Sequence, residues 1–518
     1  MTRRRYLLLF LLGLGVAVFV ASFQTTPGYM DADYYLMGGL QLARGEGFSE
    51  WVLWNYLDDP AGLPHPSHAY WMPLASILAA IGVKLTAIDG FGGGRAAFLI
   101  LAGLAAPLTA SLTYSILSKG PHTPFDMRPR AVAAQGRPTG LRSEKSRRDA
   151  ATLAGLLAAL PGFYLSFLTT TDTFGIYMVL GVIFLHIANY TEEERWWFVR
   201  LPALGLIAGL MHLARADGVL WLMIAVVVLI NNTQYAIRNT QYAIRNTYCI
   251  LIVFTGYLLV IAPWLARNYA VFGAPLAPGG VRALWFTNYD ELFAYPASVL
   301  TPARMWETGL GAVLRARLWA LGQNLQTVLA VQGGIFLTPL IVLGLWRLRN
   351  HPTVRTGVGV WLLTFVVMTV VFPFAGVRGG FFHSGAALQP LFWAVVPVGL
   401  DMFIRWGARR RGWRAGQARR VFRAGLVLLA FLLTGKLIWG RSIGPYLAGA
   451  PRQDVESYRV VEQSLQKMGV GAGEIVMVNN PPGYFLASER PAIVIPYGDL
   501  ATVLRAAKTY QARYLLLE

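Results

Sequence analysis

Apolar runs of membrane-crossing length recur along most of the chain, divided by short basic or polar segments. A helix that spans bilayer hydrocarbon takes roughly 17 to 25 residues at about 1.5 Å each. Tyr6–Phe23, Arg95–Leu117, Ala150–Leu168, Thr173–Tyr190, Leu201–Ala214, Val219–Ile230, Tyr248–Leu265, Gln326–Trp346, Gly357–Phe374, Gly385–Ile404 and Ala424–Trp439 predict such helices, the fifth and sixth being short. Arg3, Arg4 and Arg5 precede the first run as they would in a signal peptide. That run is about one membrane thickness long and no small-residue cleavage site ends it, so it reads as a retained helix.

A further run, Trp71–Ile88, is assigned by charge. Cytoplasmic connections collect Lys and Arg, and Lys119–Arg148 and Arg405–Arg423 carry eight basic residues each. Both fall on the cytoplasmic side if Trp71–Ile88 is a re-entrant or interfacial helix. The expectation is therefore a mainly α, polytopic protein of the cytoplasmic (inner) membrane with about eleven spans, its N-terminus inside and its C-terminus outside. The first outer loop runs from Gln24 to about Gly94. Further outer segments lie at Thr169–Asp172, around Arg215 and Asp217, from Arg267 to about Arg317, and at Gly376–Ser384.

After the last run the pattern changes. A helical stretch from Val455, an apolar strand Glu474–Val478, a Pro-rich turn and short helix, a strand Ala492–Ile495, a helix and a strand Arg513–Leu517 predict a small α/β domain over 452–518 outside the membrane, beside a transmembrane domain over 1–440. Two cytoplasmic loops look inserted. Residues 118–149 mix Pro, Gly, Arg and Ser without period, as disordered segments do, and 232–247 carry NTQYAIR twice in tandem, too short a period for a solenoid.

Composition agrees: of 518 residues 55% are hydrophobic and 14% charged, against roughly 25% charged in soluble domains, which excludes an ordinary cytosolic enzyme. The net charge of +19 comes with no nucleic-acid-reading motif and its Lys and Arg lie between apolar runs, so topology rather than RNA or DNA accounts for it. The single cysteine, Cys249, allows no intramolecular disulfide.

Candidate chemistry concentrates in the first outer loop, where Gly28-Tyr-Met-Asp31-Ala-Asp33-Tyr34-Tyr35 is followed by Trp51, Trp54, Asp58, Asp59, His65 and His68. Two carboxylates just past a membrane helix can hold a divalent cation such as Mg2+ or Mn2+, or one can act as a base; the plainer alternative is that they cap the next helix. His65 and His68 are close enough to share a metal, or are solvated. Trp51, Trp54 and Trp71 read first as interfacial anchors and second as platforms for a sugar ring.

The order and sidedness of several short motifs resemble the GT-C class of membrane glycosyltransferases, specifically the protein-mannosyltransferase and aminoarabinose-transferase family that uses polyprenyl-phosphate sugars. Asp31 and Tyr35 fall on the acidic and Tyr positions of the D-E-x-x-Y motif that follows the first span, with Ala32 at the Glu position and Asp33 one residue later. His68-Ala-Tyr70-Trp-Met-Pro73-Leu74, Asp172, Leu213-Ala-Arg215-Ala-Asp217-Gly218 and Pro263-Trp-Leu-Ala-Arg267-Asn268 follow in the family's order, over about residues 1 to 400. The resemblance implies transfer of a sugar, with inversion, from a polyprenyl phosphate to a protein, lipid or glycan acceptor at the outer face. It implies Asp31 as general base, and Tyr35, Asp172, Arg215, Arg267 and His383 on the donor's phosphate or sugar. Asp33 and Asp172 would be metal ligands, and His68 and Tyr70 acceptor or loop contacts. Arg215 and Arg267 could instead snorkel to lipid headgroups, Asp172 could cap the helix from Thr173, and His383, near Arg378, could be solvated. The rival class, a transporter or flippase, would place charges near the bilayer midplane on broken, repeated helices, whereas here they gather at the outer ends of the runs.

Overall fold

The computed structural model describes residues 1–118, 141, 143–188, 197–231 and 240–517. Most of the loop expected over 118–149 and the first copy of the tandem NTQYAIR repeat lie outside the described residues; the second copy, expected within a loop over 232–247, is helical from Thr240 and begins the helix that runs on to Phe272.

The chain is mainly helical. In order come α1 (Arg3–Ala21), α2 (Met30–Arg44), α3 (Leu74–Thr86), α4 (Ala96–Ser118), α5 (Glu144–Ala159), α6 (Thr173–Ile187), α7 (Trp197–Ala214), α8 (Val219–Asn231) and α9 (Thr240–Phe272). They are followed by α10 (Leu310–Thr327), α11 (Thr338–Arg347), α12 (Pro352–Val366), α13 (Phe381–Ala386), α14 (Gln389–Arg411), α15 (Ala415–Ile438), α16 (Ala450–Lys467), α17 (Pro481–Ser488) and α18 (Leu500–Tyr510). Among the described residues six helices are long and apolar enough to cross a membrane, seven if α5 and the segment Gly162–Leu168, bent by 42° from it, form one span. Five more apolar helices are shorter, Leu74–Thr86 within the run Trp71–Ile88 among them.

One run and one outer segment differ from expectation. Gln326–Trp346 is not one helix: α10 ends in a π-turn at Val328–Gln332 and the chain turns through Gly333–Leu337, with Gly334 and Ile335 in the left-handed region, before α11 begins. Gly376–Ser384, expected as a loop, is a π-turn followed by the start of α13. Tight helix crossings explain how the bundle closes over polar side chains. Where α11 meets α14, a Cβ on Gly344 would lie 2.3 Å from the Val395 carbonyl and one on Gly399 would lie 1.9 Å from that of Leu340, so only glycine permits the approach.

The C-terminal segment forms a four-stranded parallel sheet in the order β2-β5-β4-β6, with β4 at Val476–Val478, β5 at Ala492–Val494 and β6 at Tyr514–Leu515. Its edge strand β2, Val52–Leu53, comes from the first outer loop and pairs with Ala492 and Ile493. Flanking it, β1 (Ser49–Glu50) and β3 (His65–Pro66) make a small antiparallel pair. The loop also supplies Leu53 and Tyr56 to the core formed by Met477, Ile493, Val494, Ala506 and Tyr510, and the Tyr510 hydroxyl donates to the Pro60 carbonyl at 2.9 Å. The expected appendage is thus interleaved with the loop that carries Asp31. A two-residue edge strand has no periodicity of its own, so nothing in the pattern announced it.

Within this unit Arg490, 1% exposed, donates from Nε and Nη2 to both oxygens of Glu462 at 2.7 and 2.8 Å. Removing one partner of a buried pair strands the other charge, at a cost of about 3–5 kcal/mol. Arg490→Met should lower the unfolding midpoint of the C-terminal unit, read by limited proteolysis against temperature. An unchanged midpoint would contradict the assignment of this pair as its internal clamp.

Candidate active site

Asp31 sits in the first turn of α2, whose N-cap is Tyr29 without a side-chain cap. Neither Asp31 nor Asp33 is therefore the capping residue, though both gain from the helix dipole at that end. Successive residues on a helix turn by about 100°, so two positions apart is nearly the opposite face. The structure follows that rule: Asp31 faces a cavity among the helix ends, while Asp33, 7% exposed, faces the C-terminal unit and accepts from the Asn480 amide at 2.8 Å.

Asp172 does cap α6, accepting from the Thr173 backbone N–H. With 1% exposure its carboxylate also accepts from the Tyr29 hydroxyl at 2.6 Å and lies 3.0 Å from His383 Nε2. His383 stands on α13 with its ring stacked on Phe174 at 3.9 Å, and Nδ1 lies 2.8 Å from the Gly379 carbonyl. Gly379 has φ +128°, a conformation that suits glycine and that turns this carbonyl toward the ring. With Nδ1–H committed to a carbonyl, Nε2 is the nitrogen that faces the carboxylates. Asp31 Oδ2 is 4.0 Å from it.

One ligand atom each from Asp31, Asp172 and His383 fall within 4.8 Å of one another, a group able to hold a metal ion. The residues fit such an ion: an imidazole nitrogen directed at two carboxylates by a second hydrogen bond is the usual preparation of a histidine ligand. Burial pushes the Asp31 carboxyl up to about 6, Asp172 repels its charge further, and His383 and Arg215 oppose both. Burial also penalises Asp172, but His383, Tyr29 and the Thr173 N–H outweigh that and hold it below the usual carboxylate range.

The cavity, about 190 Å3, is lined by Asp31, Tyr35, Tyr70, Arg215 and His383, five of the residues expected from sequence, with Asp172 behind them. Arg215 donates from Nε to Asp217 at 2.9 Å, and Asp217 accepts from the Ser384 hydroxyl at 2.6 Å. Trp54 and Trp71 stack at 3.6 Å in its wall. Arg378, over the Tyr289 ring at 4.9 Å, completes the lining; its nearness to His383 in sequence was the one sign of it.

Three expected site residues lie elsewhere. Arg267 donates to the Phe48 carbonyl at 3.1 Å and sits 4.8 Å from the Trp264 ring, bracing the loop instead of facing the cavity. Buried His68 has its ring nitrogens on Ser67 Oγ at 2.8 Å and Ser76 Oγ at 3.0 Å, and burial drives it to about 3, so it is a neutral strut. Asp33 joins Asn480, and His383 takes the ligand position expected for it. His65 shares no metal with His68: Asp58 at 2.6 Å and Glu50 at 3.4 Å occupy its nitrogens.

No family model matches the sequence, and none of the curated proteins matches it. Solved structures do. The oligosaccharyltransferase of Archaeoglobus fulgidus, tethered with an acceptor peptide, superposes with TM-score 0.58 at 14% identity over 99% of this chain and 69% of that one. The same enzyme in complex with Zn and sulfate gives 0.54 at 12%, over 94% and 62%. ArnT from Cupriavidus metallidurans bound to undecaprenyl phosphate gives 0.56 at 11%, over 99% and 90%. Both are GT-C glycosyltransferases. The chain has the GT-C fold. The expectation drawn from short motifs is borne out at the level of architecture.

Burial pushes the Asp33 carboxyl up to about 7, the Asn480 hydrogen bond opposes this, and Asp31 adds to it. A carboxyl whose folded value exceeds its unfolded one contributes stability that is present at low pH and lost as pH rises through the folded value. Thermal stability should therefore fall as pH rises from about 4 to about 7, and Asp33→Asn, which keeps an acceptor for Asn480, should flatten that fall. Equal slopes in both proteins would contradict the burial of this group against the C-terminal unit.

Proposed function

We propose that this protein is an inverting membrane glycosyltransferase that moves a sugar from a polyprenyl phosphate to an acceptor at the outer face of the cytoplasmic membrane. The observation that carries the reading is the convergence of Asp31, Asp172 and His383 at the edge of a cavity whose other charged walls are Arg215, paired with Asp217, and Arg378. The GT-C fold and the solved relatives bound to dolichol phosphate and undecaprenyl phosphate support it. The topology that goes with it counts seven long spans and the short helices α6, α7, α8 and α11 as four more, eleven in all, with α3 interfacial and the C-terminal unit outside.

Asp31, one-third exposed to the cavity, takes the proton from the acceptor nucleophile as that atom attacks the anomeric carbon. The sugar–phosphate bond breaks on the opposite face, and the leaving phosphate carries close to two negative charges. Arg215, steadied by Asp217, and Arg378, steadied on Tyr289, balance that charge in fixed positions, which is the main source of transition-state stabilisation in such sites. Tyr35, Tyr70 and the Trp54–Trp71 stack supply flat apolar walls for the sugar ring. A divalent cation held by Asp172, His383 and one oxygen of Asp31 would add charge neutralisation at the leaving group.

Asp31→Asn should lower transfer by about 10²- to 10⁴-fold, the usual contribution of a positioned base, while the donor still binds. The assay is transfer from a polyprenyl-phosphate hexose or pentose in reconstituted vesicles, with donor binding measured separately. Near-native transfer in a folded Asp31→Asn preparation would remove the base assignment. Uptake of a solute without sugar transfer would favour a transporter. His383→Ala should also abolish Zn2+ or Mn2+ binding by calorimetry, whereas Asp33→Asn should leave it unchanged.

A further inference from the structure

At the end of the bundle opposite the Asp31 cavity, α1, α5 and α15 all begin, and a groove of about 780 Å3 runs between them. Its mouth is charged: Arg5 of α1 and Arg423 of α15 approach the two oxygens of Asp149 at the start of the apolar part of α5, at 3.6 and 3.9 Å. Charge-assisted N–H···O hydrogen bonds are about 2.7–2.9 Å, so neither guanidinium is closed onto the carboxylate. Two cations share one anion, and the mouth is left with net positive charge.

Behind the mouth the groove is apolar on all three sides. Leu8, Leu9 and Leu12 follow Arg5 at spacings of three, four and seven residues, Leu153 and Leu156 follow Asp149 at four and seven, and Val427 follows Arg423 at four. Those spacings keep each helix's charge and its apolar side chains on one face. Leu8 and Leu12 are 55% and 41% exposed among the described residues, so a long apolar surface leads away from a cationic mouth in register on three helices. A free anion would use the mouth alone. A molecule with an anionic head and an aliphatic tail uses all of it.

We propose that this groove binds an anionic membrane glycerophospholipid, its phosphodiester between Arg5 and Arg423 and an acyl chain along Leu8, Leu12, Leu156 and Val427. Basic pockets between transmembrane helices on the cytoplasmic side favour such headgroups. The proposal rests on the membrane reading of the chain and not on sugar transfer. The bound lipid would fill the seam between α1 and α15, both of which pack on α5.

The test is thermal unfolding of the full-length protein in detergent with added phosphatidylglycerol, phosphatidylcholine or inorganic phosphate, together with native mass spectrometry of retained lipid. Phosphatidylglycerol should raise the midpoint and remain bound, and the other two should not. Arg5→Gln with Arg423→Gln should weaken phosphatidylglycerol binding on the order of tenfold or more. Leu12→Trp, which fills the apolar channel and leaves the charges in place, should also displace the lipid, and it serves if the double variant does not fold. Equal stabilisation by phosphatidylcholine, an effect reproduced by inorganic phosphate, or phosphatidylglycerol binding that survives Leu12→Trp would each overturn the proposal.

Discussion

One buried carboxylate organises the end of this molecule that holds the Asp31 cavity. Asp172 has almost no contact with solvent, and a carboxylate in that position is tolerable only if its lone pairs are satisfied. Three partners from separate parts of the chain do so: the N-terminus of α6, the Tyr29 hydroxyl from the segment between α1 and α2, and His383 from α13. Each of those bonds ties a loop or helix end to the same point. Asp31 follows Tyr29 by two residues, so the bond that satisfies Asp172 also sets where α2 begins and hence where Asp31 faces.

The same constraint reconciles two readings of Asp172 that sequence leaves open. Capping the helix does not keep Asp172 from the candidate site: one oxygen serves the helix while the other meets His383 and Tyr29. Asp31 and Asp33 divide the work differently. Helical geometry sends them to opposite sides of α2, one into the cavity and one against Asn480, so the pair links the cavity to the C-terminal unit without both carboxylates meeting one ligand.

Much of this was legible from residue pattern. Runs of apolar residues gave away the helices because a membrane imposes both length and composition on them. Asp31, Tyr35, Tyr70, Asp172 and Arg215 could be singled out because short motifs around them resemble those of the GT-C family in order and sidedness, and His383 because it stands near Arg378 in an expected outer segment. What stayed hidden depends on side-chain direction and on contacts distant in sequence. Arg267 carries the same charge and the same helix-end position as Arg215, yet its guanidinium is taken by the Phe48 carbonyl and a ring of aromatics. His68 is a loop histidine in sequence and a buried strut in the fold. The strand at Val52–Leu53 exists only because β5, some 440 residues later, offers it an edge.

The pH dependence of transfer tests the central claim most directly, because Asp31 faces the cavity and Asp33 faces Asn480, so each can be replaced without the other. If Asp31 is the base, the rate must fall as pH is lowered through about 6, where its carboxyl takes up a proton, and that limb must persist in the Asp33→Asn protein. A rate that is flat through pH 6, or a limb near 7 that disappears with Asp33→Asn, would contradict the account.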